Sequence, residues 1–229
     1  MSVPPAACVR KRRSSWRPTG PRRRSCGNGA WRRRSAKPRT CVAPTNRPAS
    51  AIDIVKFDGL SDLPDDELDY ALTLAKTLGA RAASCELSAP AVKRLGQAAD
   101  RNQVWIGLHG HVAVTAAIWE QAFSEGRYLG ANVDIGHFVA GNNTSPLPFI
   151  ERHRARITHL HVKDRKKHDG PNVPFGQGDT PIRGILQTIR DNQWPIPAMI
   201  EFEIPLPPGT DRTPELLKCL DYCKQCLLS

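Results

Sequence analysis

The chain has 229 residues, enough for one large domain or for one domain with a tail, and its formal net charge is +11. That charge is unevenly placed: residues 1–50 hold 14 of the 33 Lys and Arg and no acid, so residues 51–229 carry 19 basic and 22 acidic residues, a net −3. A mildly acidic folded part gives no ground for expecting a nucleic-acid partner, and no apolar run reaches the ~18 residues of a spanning helix, so no membrane is expected either.

Residues 1–50 contain seven Pro, repeated Arg triplets and few aliphatic residues, with no helical or strand period. Such a stretch cannot bury enough apolar area to offset chain entropy, and disorder is expected. It reads either as a basic tail for an anionic surface or as a start-site or reading-frame artefact, and the second reading is favoured. No apolar segment follows the Arg triplets to make a secretory signal, so a cytoplasmic location is expected.

From Ala51 the texture changes. Residues 51–57 predict a short strand. Ser61 to Leu78 predicts a helix with Leu68, Leu72, Ala75 and Leu78 on one face, stopped by Gly79. Arg81–Glu86 predicts a strand, Pro90–Arg101 a helix, Val104–Leu108 a strand, and Thr115–Glu125 a helix. Residues 131–135 predict a strand, Leu147–Arg154 a short helix, and 156–162 a strand. Pro181–Asn192 predicts a helix, 198–202 a strand, and Pro214–Leu228 the last helix. Strands alternating with helices at this spacing predict an α/β fold with a parallel sheet. About six β/α units fit in residues 51–229, whereas a closed (β/α)8 TIM-type barrel needs roughly 250 residues. The expectation is therefore such a barrel, incomplete at its N-terminus. An open doubly wound sheet is the alternative, but no GxGxxG follows the first strand.

Polar residues gather at the ends of apolar strands: His109 and His111, Asp134 and His137, His159, His161, Lys163 and Asp164, then Glu201 and Glu203. In a parallel barrel those ends share one face, where catalytic groups collect. Mixed imidazole and carboxylate donors suit Mn²⁺, Zn²⁺, Co²⁺ or Fe²⁺ better than Ca²⁺. A lone buried His is usually a hydrogen-bonded core residue and a lone Asp after a strand a helix cap; four consecutive strands ending this way argue for a metal site. Lys163 reads either as a holder of oxyanion charge or as a salt-bridge partner of Asp164. Gly176-Gln-Gly178 reads as a loop over the mouth, and Arg165 to His168 as a phosphate attractor or, more simply, a solvated charge run.

Seven Cys are scattered along the chain, an odd count that argues against a disulfide scaffold. Cys219, Cys223 and Cys226 share one face of the last helix; core packing is the default reading over a metal or redox role.

The segments 131–137, 157–165, 174–179 and 200–203, with Leu74–Arg81, closely resemble the xylose isomerase-like TIM barrel family, the sugar phosphate isomerases/epimerases. The resemblance runs from about residue 51 to the end. It implies a divalent cation (Mn, Zn, Co, Fe or Mg) held by Asp134, His161 and Glu201, with His109 standing where the family commonly has a fourth ligand, a Glu. It further implies Glu201 as the base, Glu86 as a substitute for the missing carboxylate, and Lys163 as a catalytic aid. His111, His137, His159, Asp164, Arg165 and Glu203 are then the substrate-binding candidates. The implied function is isomerisation or epimerisation of a sugar or sugar phosphate by proton abstraction beside a metal-bound carbonyl, with homo-oligomerisation as a further expectation. The His109 departure puts two-base epimerisation in doubt and favours, as the alternative, a lyase or hydrolase acting on 3-keto-glycosides. An abasic-site endonuclease, which needs a multi-metal cluster, and an inactive truncated barrel are the remaining readings.

Overall fold

The structure is a computed structural model that describes residues 51–229. The basic stretch, with its expected disorder and both of its readings, lies outside the described residues. Six strands, β1 (Ile54–Lys56), β2 (Ala82–Glu86), β3 (Trp105–His109), β4 (Leu129–Asp134), β5 (Ile157–Val162) and β6 (Ala198–Ile200), form one sheet in the order β1-β2-β3-β4-β5-β6. Every neighbouring pair is parallel. The helices are α1 (Asp65–Thr77), α2 (Val92–Asn102), α3 (Ala116–Ser124), α4 (Ile135–Asn142), α5 (Leu147–His153), α6 (Ile182–Asp191) and α7 (Thr213–Leu228).

The sheet curls. His109 on β3 and His161 on β5, with β4 between them, have ring centroids 4.9 Å apart. At the opposite ends of the strands, the Arg81 guanidinium before β2 reaches the Pro195 carbonyl before β6. Among the described residues β1 and β6 remain edges, so the six strands are an incomplete (β/α) barrel.

Apolar spacing explains the outer layer. Leu68, Ala71, Leu72 and Ala75 form the buried stripe of α1, and Asp65, Asp66 and Glu67 lie where the helix dipole favours acid. Gly79, at φ 77°, turns the chain into β2. Contrary to the single helix expected from Ser61, Pro64 separates a 3-10 turn at Leu60–Asp62 from α1. Leu72, Leu95, Ile106, Leu108, Leu129, Ile150, Leu160 and Ile185 are fully buried in the core; each contributes roughly 1.5–3 kcal/mol through burial.

Two features position the mouth and were not foreseen. Helix α4 follows β4 with no loop; Asp134 is its N-cap, with Oδ1 accepting from the His137 N–H at 2.8 Å. Second, the loop carrying Gly176-Gln-Gly178 is pinned from inside by Asp164. Its carboxylate accepts from the backbone N–H groups of Gly176 (2.8 Å), Gly178 (2.9 Å) and Thr180 (3.2 Å). A Cβ on Gly178 would sit 1.8 Å from Asp164 Oδ1, so this close approach requires glycine. Among the described residues no helix is long and apolar enough to cross a membrane.

Candidate metal centre

The parallel register brings four side chains from four strand ends to one place. His109 and Asp134 are the last residues of β3 and β4, His161 is opposite Asp134 on β5, and Glu201 follows β6 with its N–H on the Val162 carbonyl. One potential ligand atom from each lies within 4.8 Å of the others. Each of the four also has one buried atom without a hydrogen bond: His109 Nδ1, Asp134 Oδ2, His161 Nδ1 and Glu201 Oε2. His109 Nδ1 has no close polar contact at all, a condition that costs roughly 1–3 kcal/mol, whereas the other three touch only ionic neighbours. The four atoms, one per residue and all convergent, are a donor set that fits a divalent cation.

The neighbours are ionic. His161 Nδ1 lies 2.8 Å from Glu201 Oε2. Lys163, 1% exposed, places Nζ 3.1 Å from Asp134 Oδ2, 3.3 Å from Glu201 Oε2 and 2.6 Å from Glu203 Oε2. The salt bridge to Asp164, one of the two readings of Lys163, gives way to these three contacts. Burial pushes Asp134 up to about 7, against the pull of Lys163. Burial acts the same way on Glu201, but the contacts with His161 and Asp134 and the charge of Lys163 outweigh it and hold Glu201 well below the usual carboxylate range. Burial lowers His109 to about 4, so its imidazole is neutral and able to donate a lone pair.

Asn132, fully buried on β4, was not singled out in the sequence because it reads as an ordinary strand residue. Its amide nitrogen lies 3.3 Å from His161 Nε2 and 3.3 Å from Ser84 Oγ. It holds the far side of the His161 ring and leaves Nδ1 facing the other donors.

The remaining candidates divide. His137 Nε2 lies 3.1 Å from Lys163 Nζ and its Nδ1 2.8 Å from Arg165 Nη1. Burial, then Lys163, lowers it to about 3. Arg165 is itself tied to the Gly170 carbonyl and Asp169, so it turns inward rather than joining a surface phosphate patch. Lys166, next in that run, lies 3.7 Å from Asp179. At the rim, His111 Nε2 meets Glu86 Oε2 at 2.9 Å and Lys56 Nζ meets Glu86 Oε1 at 3.1 Å. Burial raises Glu86, but the Lys56 contact overrides it and the net shift is downward.

Two substrate-binding candidates do not reach the mouth. Asp164 is 1% exposed and committed to the loop backbone. His159, also 1% exposed, sits one pleat below His161 with Nδ1 3.0 Å from Thr158 Oγ1. Burial lowers it to about 3. Depth rather than distance from a strand end sets both apart from the residues at the mouth. His109, His111 and His137 form a second group of close donors, but both nitrogens of His137 already face cationic side chains, which opposes a second cation there. Cys219, Cys223 and Cys226 are buried on one face of α7, in neither donor group.

A family model described as xylose isomerase-like TIM barrel matches residues 68–223. No curated protein matches the sequence. Among solved structures, a xylose isomerase domain protein from Planctomyces limnophilus is 17% identical with a TM-score of 0.57, over 71% of this chain and 65% of that one. The chain thus spans just under two thirds of that relative's length. A sugar phosphate isomerase/epimerase from Parabacteroides distasonis is 15% identical with a TM-score of 0.57, over 76% of this chain and 72% of that one. The IOLI protein with a binding zinc atom is 15% identical with a TM-score of 0.56, over 77% of each chain. At these identities the likeness carries the fold alone.

Proposed function

Because the chain belongs to the xylose isomerase-like TIM barrel family, we propose that it is a divalent-metal-dependent isomerase or epimerase of a sugar or sugar phosphate. The observation that carries this reading is the convergence of one potential ligand atom each from His109, Asp134, His161 and Glu201, brought from four successive strand ends to within 4.8 Å of one another. Those residues would hold the cation, with Asn132 orienting His161. A cation so held would polarise a sugar carbonyl and make the neighbouring C–H more acidic.

The chain's own groups do the rest. Glu201, ionised and at the mouth, takes the proton from the carbon beside the carbonyl. Lys163, flanked by Glu201 and Glu203, keeps positive charge beside the position where oxyanion charge develops. His111 and Glu86 at the rim supply a donor and acceptors for sugar hydroxyls, and His137 and Arg165, buried behind them, brace Lys163.

A second reading, a lyase or hydrolase on 3-keto-glycosides, is favoured by one observation. The β3 end carries His109 rather than a carboxylate, and the nearby Glu86 is engaged by Lys56 and His111. That leaves Glu201 as the one base, enough for elimination.

The test is deuterium incorporation next to the carbonyl, followed by NMR in D₂O with the cation-loaded protein. The panel comprises free and phosphorylated ketoses and aldoses, with 3-keto-glycosides as a separate arm. Exchange with a panel sugar, reduced roughly 10²–10⁴-fold by Glu201→Gln, is expected. Exchange or cleavage confined to the 3-keto arm supports the second reading, and none in either arm overturns both.

A further inference from the structure

Lys163 is among the largest fully buried side chains of the described residues, yet it ends in a charge. Resting on the reading that His109, Asp134, His161 and Glu201 hold a divalent cation, we propose that the Lys163 ammonium is a built-in competitor for that cation, a positioning residue that sets how tightly it binds. The geometry is specific. Nζ lies 3.1 Å from Asp134 Oδ2 and 3.3 Å from Glu201 Oε2, two carboxylate oxygens of the ligand set. In the ion-free protein the ammonium is thus the cation that these oxygens face.

A divalent ion bound to those oxygens at about 2.0–2.2 Å would put a double positive charge within roughly 5.5 Å of Nζ. Water is largely excluded there, so the two cations repel with little screening. A second carboxylate offers relief. Glu203 Oε2 lies 2.6 Å from Nζ on the outer side, on a side chain that is 46% exposed. Ion binding therefore loosens Lys163 from the Asp134 and Glu201 oxygens and leaves it on Glu203, already its nearest carboxylate. The affinity is set by that exchange of partners as well as by the four ligands.

The proposal predicts opposite signs for two neutralising variants. Removing the competitor with Lys163→Met tightens binding. Removing the alternative partner with Glu203→Gln leaves Lys163 on the ligand oxygens and weakens binding. A merely structural role for Lys163 gives the reverse of the first result, because a loosened site binds less well. The experiment is the Zn²⁺ dissociation constant of the full chain, measured by competition with a chromogenic chelator. The variants are Lys163→Met, the more conservative Lys163→Gln and Glu203→Gln, with circular dichroism to check folding. At least about ten-fold tighter binding for a folded Lys163 variant is expected, with several-fold weaker binding for Glu203→Gln. If Lys163→Met fails to fold, the same opposition between Lys163→Gln and Glu203→Gln decides. A wild type that binds Zn²⁺, with folded variants unchanged or all weaker, overturns the competitor while leaving the ligand set standing. A folded wild type and folded variants that bind no Zn²⁺ overturn the ligand set and the competitor with it.

Discussion

The mouth of the sheet and the inner face of α7 both gather ligand-type side chains at regular spacing, and they are physically opposite. On α7, Cys219, Cys223 and Cys226 are buried, and Cys223 and Cys226 pack into the apolar core. Burial pushes the Cys223 thiol up to about 11, so it packs as a small apolar group. At the mouth, burial leaves four donor atoms without hydrogen bonds and sets a lysine among three carboxylates. Reactive residue types at helical or strand spacing are common to both regions. What singles out the mouth is imidazoles and carboxylates from four strand ends, buried or half-buried and converging on one point with one lysine among them.

The comparison breaks most sharply in catalysis. Glu201→Gln should lower hydrogen–deuterium exchange roughly 10²–10⁴-fold, whereas Cys223→Ala with Cys226→Ala should leave it unchanged, both read by NMR in D₂O. In stability the expectation shifts to the loop. Asp164→Ala removes the acceptor of three backbone N–H groups and should cost about 3 kcal/mol by urea unfolding. Cys226→Ala, which only thins the packing, should cost about 1–2 kcal/mol in the same assay. The smallest effect is chemical: Cys85, whose burial raises its thiol to about 12, should react with a thiol reagent only as fast as the protein unfolds. Prompt labelling of Cys85 in the folded chain would contradict the packing described.

The fold was largely legible because strand and helix periods survive at single-sequence level. All six strands and six of the seven helices were anticipated, with ends moved by a few residues. Helix α4 escaped because Ile135 to Ala140 are buried together, so no amphipathic period marks it, and it starts at the residue that ends β4. Pro64 moved the start of α1 for a local reason, the loss of an N–H and a fixed φ. At the site, the sequence brought forward the residues that converge but not their depth. Lys163 and Asp164 are adjacent, yet one turns into the donor set and the other into the loop, a parity set by the end of β5. Asn132 carried no signal because its role depends on His161, 29 residues away in sequence. Ion pairs such as those of Lys163 form only once the sheet curls, and no local pattern encodes them.

The most direct test of the central claim is bound metal, measured by elemental analysis after supplying Zn²⁺ or Mn²⁺ and removing the excess. The wild type should retain about one equivalent, and the double variant Asp134→Ala with Glu201→Ala should retain none while remaining folded. A folded wild type without metal, or a double variant that keeps as much as the wild type, would contradict the assignment of the mouth as a metal centre.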